Sequence, residues 1–251
     1  MKTIIGAKRR SSRKYIGNIR LLYHGAEPAY PVKEISKEIA RAKFSSLPQD
    51  KRHRLALAFG FMTVGKGWDI LDKMRIPENW TLVINSSVNY STGERVQLDN
   101  LTSIRHTNGI HKIINLSQDY LSEEGLSTLF FASDVVLLPY KITSGSGVMF
   151  DALGHGIPSI ASDLPFFNEF ASKGLGITAK RMPDAFTDAL LKLDNNYERY
   201  KEAVEGFKEN LKWAIVAKNH IESYNNISPS TQVIVSTKTT VPIAKNLADR
   251  T

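Results

Sequence analysis

The chain has 251 residues, enough for one large domain or two small ones, and its 42% hydrophobic content supports a sizeable core. It has no cysteine, which excludes a disulfide framework and a thiolate metal site, and no apolar run reaches the length of a membrane span. The formal net charge of +8 is unevenly placed: residues 1–20 carry seven basic side chains and no acid, residues 228–251 carry +2, and the stretch between sums to about −1.

Residues 1–18 therefore read as a basic arm that charge alone would draw to an anionic surface, lipid or nucleic acid, the alternative being a solvated leader. The apolar pair Ile4-Ile5 runs straight into Lys8-Arg9-Arg10 and is too short for a signal peptide, so a cytoplasmic protein is expected, with the arm allowing peripheral contact at the inner membrane face. Residues 19–23 suggest a first short strand ending at His24-Gly25, and the charged stretch 31–49, with its spaced Ile and Ala, suggests an amphipathic helix. A buried strand over 55–59 ends in a loop, Gly60 to Gly67, followed by a helix over 68–73. Gly60, Gly65 and Lys66 fit the GxxxxGK part of a phosphate-binding loop, but Gly67 replaces the hydroxyl residue that would hold magnesium. Lys66 can neutralise a phosphate; a solvated lysine is the alternative. A third strand is expected over 80–85, a polar loop with one short helix over 86–109, and a fourth strand over 112–116. Ser122 then serves as N-cap of a helix continuing through Phe131.

The stretch 133–163 organises the rest. An apolar run over 135–138 is short enough for a strand buried on both faces. The turn Thr143-Ser144-Gly145-Ser146-Gly147 follows, then a helix from Val148 closed by Gly154 and Gly156, then a strand over 159–161. Free amides at a helix start, favoured by the dipole, suit a phosphate, and Asp151 one turn in suits ribose hydroxyls. The alternative is a Gly-rich turn with a surface Asp. Beyond it come a helix over 167–171, a strand over 174–178, a helix over 184–193 and a long helical region over 197–224. In that region Phe207, Leu211, Trp213, Ile215, Val216 and His220 are the expected buried residues. Strands alternating with helices predict a doubly wound, Rossmann-like parallel α/β sheet over 19–227, with ligands at the carboxyl ends of its strands. The tail 228–251, rich in Ser, Thr, Val and Pro, is expected to be disordered or to add an edge strand.

Several blocks in order resemble the C-terminal, donor-binding half of a GT-B glycosyltransferase of the retaining family 4 group. Leu22-Tyr23-His24-Gly25 is similar to that half's I-P-H-G element, and Phe59-Gly60-Phe61-Met62 with Lys66-Gly67 to its G-R-L-x-x-x-K-G loop. Leu121-Ser122-Glu123-Glu124 through Ala132-Ser133-Asp134-Val135 to Pro139 resembles V-S-x-E-E-L…A-D-V-F-V-L-P, and Asp151-Ala152-Leu153-Gly154-His155-Gly156-Ile157-Pro158 resembles E-A-M-A-x-G-x-P. Lys212-Trp213 through Tyr224 is similar to the closing S-W-x-x-x-A…Y helix. The resemblance implies that Lys66 and the loop beginning at Gly60 contact the donor diphosphate. It implies that the amides of Ser144, Gly145, Ser146 and Gly147 hold the same diphosphate, that Asp151 takes the ribose, and that Leu121 lies where backbone groups meet the base. It also implies metal-independent transfer with no cofactor beyond the nucleotide-sugar donor, the donor phosphate helping to deprotonate the acceptor. Two positions depart from the pattern: Thr143 replaces the first Glu of E-x7-E, and Phe61 stands where the loop arginine would be.

Three functional classes follow. The first is a donor-binding transferase domain, with Lys66, Thr143 and Asp151 as its catalytic candidates, completed by an acceptor-binding partner chain or a homo-oligomer and acting on a lipid or glycan acceptor. The second is a non-catalytic nucleotide-sugar binder or assembly subunit descended from one. The third is a nucleic-acid-associated protein using the arm, against which stands a core with no excess positive charge.

Overall fold

The computed structural model describes residues 22–28, 35–87, 105–107, 110–116 and 121–225. Among the described residues seven strands form one sheet in the order β3-β4-β2-β1-β5-β6-β7: β1 Arg54–Phe61, β2 Trp80–Ser87, β3 Arg105–Thr107, β4 Ile110–Asn115, β5 Val135–Leu138, β6 Ser159–Ser162 and β7 Gly176–Ala179. Six of them run parallel, and only the edge strand β3 is antiparallel to its neighbour. Eight helices accompany them among the described residues: α1 Lys37–Ala42, α2 Trp68–Lys73, α3 Glu123–Ala132, α4 Gly147–Gly154, α5 Pro165–Ala171, α6 Pro183–Asp194, α7 Tyr197–Lys208 and α8 Trp213–Asn225.

The central strands are buried on both faces because successive side chains point to opposite sides of a pleated sheet. Leu55 and Leu57 of β1 join one core with residues of α1, α3, α4, α5 and α7. Ala56 and Ala58 join the other with α2 and α6. The doubly wound α/β sheet expected from the alternation of elements is thus present, and the two cores are the two sides of one sheet.

At the amino edge a charged cluster joins the elements. Asp134, 1% exposed, accepts from the Arg41 guanidinium at 2.8 Å, from the Leu55 amide at 2.8 Å and from Lys37. Arg54 approaches it at 3.5 Å while pairing with Asp194 and stacking over the Tyr197 ring at 3.8 Å. One buried carboxylate thereby ties α1 to the starts of β1 and β5.

Four local expectations change. Of the strand expected over 19–23, residues 19–21 lie outside those described, and 22–28 form no strand: the Ala26 amide donates to the Leu211 carbonyl at 2.9 Å, and Tyr23 packs on Phe170 of α5 and Phe207 of α7. Helix α1 is six residues, not the length of 31–49, and of that stretch residues 31–34 lie outside those described. The 105–107 strand was not expected; most of the rest of 86–109 lies outside the described residues. The long helical region over 197–224 breaks at Lys212, which is extended (φ −57°, ψ 132°) after a 3-10 turn that buries Leu211. The break turns α8, so that Val216 is buried while Trp213 and Ile215 are 53% and 40% exposed. The basic arm 1–18 and the tail 228–251 lie outside the described residues.

Candidate functional site

After β1 the chain builds outward through β2 and β4, then returns to lay β5 on the other side of β1. The direction of winding reverses between β1 and β5, and in such sheets a crevice opens beyond the carboxyl ends of the two strands. The loops leaving these strands are the two glycine-bearing loops identified in the sequence.

They are locked together. The Lys141 amide donates to the Gly65 carbonyl at 2.9 Å. Gly67, in the left-handed region at φ 78°, lies so close that a Cβ on it would fall 1.9 Å from the Pro139 carbonyl oxygen. Lys66, in the 3-10 turn Val64–Lys66, crosses the crevice: its ammonium donates to the Tyr140 hydroxyl at 2.7 Å and sits 4.2 Å from that ring's centroid. Gly60 (φ 125°) is the floor beneath the lysine, since a Cβ there would be 3.6 Å from Nζ.

The β5–α4 loop carries the rest. Thr143 accepts from the Gly145 amide at 3.1 Å and donates to the Gly145 carbonyl, so its hydroxyl is engaged in its own turn, with Ser144 exposed beside it. Ser146, 7% exposed, is the N-cap of α4, accepting from the Met149 amide at 3.2 Å. The helix begins at Gly147, leaving the first amides without intrahelical partners. A Cβ on Gly65, Gly145 or Gly147 would meet nothing within 4 Å, so all three border open space. Met149, Phe150, Ala152, Leu153 and Gly154 of α4 are buried, which leaves Gly147, Val148 and Asp151 on its outer face. Burial raises the Asp151 carboxyl above its ordinary value, and the nearby His24 pulls it back. Leu121, half-buried ahead of α3, packs against the core that holds Leu55 and Leu57 of β1.

Beneath Asp151, His155 accepts no ligand role. Its Nδ1 pairs with the Asp151 carbonyl at 2.6 Å, its Nε2 with the Ser127 hydroxyl at 2.5 Å, and its ring stacks on Phe130 at 4.8 Å. Burial pushes its pKa down to about 4, so the imidazole is neutral at pH 7.

Sequence reasoning missed Tyr140 and Arg181, and gave His24 no place beside Asp151. Tyr140 closes over Lys66; its signal was an aromatic with a polar tip directly after a strand-ending proline. His24 stacks on Phe150 at 5.8 Å and faces Asp151 from a segment far away in sequence. Arg181, following β7, donates to the Pro139 carbonyl at 3.2 Å and pairs with Asp69 at 2.5 Å, bracing the same strand end. At the carboxyl ends of the strands, Phe61 closing β1 and Val64, Ile142 and Met182 in the segments after β1, β5 and β7 are 46%, 46%, 81% and 54% exposed, and together they give that edge of the sheet an apolar rim. Among the described residues no group of three or more His, Asp or Glu is placed to hold a metal ion, and no helix is long and apolar enough to cross a membrane.

No family model and no curated protein matches the sequence. Solved structures do match the fold. Sucrose-phosphate synthase from Thermosynechococcus elongatus aligns at TM-score 0.63 and 19% identity, over 82% of this chain and 52% of that one. HepE from Anabaena, solved with UDP and glucose, aligns at TM-score 0.61 and 13% identity, over 83% and 57%. The C-terminal domain of a group 1 glycosyl transferase family protein from Francisella tularensis aligns at TM-score 0.50 and 14% identity, over 74% of this chain and 98% of that domain. The chain spans about half the length of the first two, and its fold is that of one domain of GT-B glycosyltransferases.

Proposed function

We propose that this chain is the donor-binding domain of a family 4-like retaining glycosyltransferase, corresponding to that fold's C-terminal half, and that it holds a nucleoside diphosphate sugar in the β1/β5 crevice. The observation that carries the reading is the meeting of Lys66 with the β5–α4 loop at the sheet's switch point. Lys66 supplies the positive charge, the α4 amides supply oriented donors, and Asp151 accepts from the ribose. Leu121 is left for the base, whose loop follows β4.

In the proposed transfer the bond from the anomeric carbon to the leaving phosphate oxygen breaks and a bond to the acceptor oxygen forms. The acceptor's proton passes to that phosphate oxygen, so the nucleoside diphosphate leaves carrying it. No metal and no further cofactor enters this scheme. Charge develops on the diphosphate, where preorganised donors contribute most. Phe61 contributes no cation there and Thr143 no carboxylate, so Lys66 and the α4 dipole do this work without them. The apolar rim supports a facing acceptor-binding half, in a partner chain or a second copy, covering the crevice during transfer. The acceptor is a lipid or glycan.

A thermal-shift and calorimetric screen of UDP, GDP and ADP tests the site. One of them is expected to bind, and Lys66→Ala and Asp151→Ala are each expected to weaken it without unfolding the protein. Binding of none, or undiminished binding by both variants, overturns the reading. We further propose that residues 1–18 dock on anionic lipid. Their deletion is expected to abolish binding to anionic vesicles and leave nucleotide affinity intact.

A further inference from the structure

We infer that Tyr140 is the positioning residue for the Lys66 ammonium, fixing it over the β1/β5 crevice before a diphosphate arrives; this rests on the donor-site reading above. A lysine is a compact charge on a flexible four-carbon stem, and ordering that stem on binding costs rotamer entropy. Tyr140 removes most of that freedom in advance, because the ammonium is held by the phenol oxygen at 2.7 Å and by the ring face at 4.2 Å.

The tyrosine can do this because it is itself immobile. It is 5% exposed, its ring meets Phe167 edge-on at 5.6 Å, and its amide donates to the Leu138 carbonyl at 2.8 Å. The neighbouring Lys141–Gly65 bond then sets the distance between the two loops. An ammonium has three donors, and Tyr140 takes one, which leaves two for phosphate oxygens. Phe61 in place of a loop arginine makes this fixing matter more, because a guanidinium would bring its own planar, preorganised fork and lysine does not.

The test is a double-mutant cycle in the full chain, read by calorimetry with whichever of UDP, GDP and ADP binds tightest. Tyr140→Phe keeps the ring, the cation–π contact and the packing on Phe167 and removes only the hydrogen bond. It is expected to weaken binding about five- to tenfold, with its thermal midpoint within about 2 °C of the parent. Lys66→Ala is expected to lose at least as much, and the double variant is expected to bind no worse than Lys66→Ala alone. A Tyr140→Phe protein that binds like the parent, or a double variant whose losses multiply, overturns the positioning role while leaving the donor site standing. Parental binding by Lys66→Ala overturns this inference, and no nucleotide bound by the parent overturns the donor-site reading and this inference together.

Discussion

Asp151 on α4 and His155 at its C-cap lie one helical turn apart, and burial acts on them in opposite directions. Burial penalises the charged form of each, so it raises the carboxyl and lowers the imidazole. If Asp151 binds ribose as a carboxylate, nucleotide affinity is expected to decline on acidification at a higher pH than an ordinary aspartate would give; calorimetry across acidic pH reads this, and Asp151→Asn should flatten the dependence. His155 acts on stability. Its folded value of about 4 lies below the unfolded value of 6.5, so the unfolded chain binds the proton first. Its contribution is complete above pH 6.5 and is lost as pH falls toward 4, in total about 3 kcal/mol. Denaturant unfolding at pH 7 and pH 4.5 measures the loss, and a His155→Gln variant is expected to show less of it.

At the scale of elements, two junctions hold the sheet's central strands at their opposite ends. At the amino edge, Asp134 concentrates three cations and a strand amide on one carboxylate that water scarcely reaches. Asp134→Ala strands the Arg41 guanidinium, which is 2% exposed, and is expected to cost about 3–5 kcal/mol of stability in chemical denaturation. At the carboxyl edge the contact is steric. Gly67→Ala must find room for a Cβ against the Pro139 carbonyl while holding a left-handed backbone. The backbone conformation alone costs about 1–2 kcal/mol, and the clash should part the two loops. The variant is expected to lose nucleotide affinity together with stability, whereas Gly145→Ala, with open space around it, is expected to lose affinity alone.

Across the whole molecule, one edge of the sheet is braced by buried charge and the other is open, apolar at its rim and lined by amides and Lys66. If a facing half closes over that rim, the chain alone binds nucleotide but transfers sugar slowly, because holding both reactants together supplies much of the rate. Ile142, 81% exposed, tests this. Ile142→Asp is expected to leave nucleotide binding unchanged and to depress transfer in the completed enzyme, measured by donor turnover over a panel of acceptors. Efficient transfer by a proven monomer of this chain would contradict the scheme.

The order of strands and helices was legible in the sequence because the parallel strands are short apolar runs punctuated by Gly and Pro, and because Ser122 caps its helix as its spacing suggests. Lys66 and Asp151 could be placed in the sequence on strand–turn–helix units, because each is a local feature of one; that Ser146 caps α4 emerged only from the structure. The sequence did not disclose what their neighbours would be. Tyr140 reaches Lys66 across 74 residues, and His24 meets Asp151 across 127. The first pair arises only when the winding order sets β5 beside β1, the second only when residues 22–28 pack on α4. The same holds for Trp213 and Ile215, apolar residues expected to be buried. Their exposure follows from the turn at Leu211, whose carbonyl takes the amide of Ala26. Periodicity reports which residues share a face of one element, while the partner of that face is decided by how the elements pack.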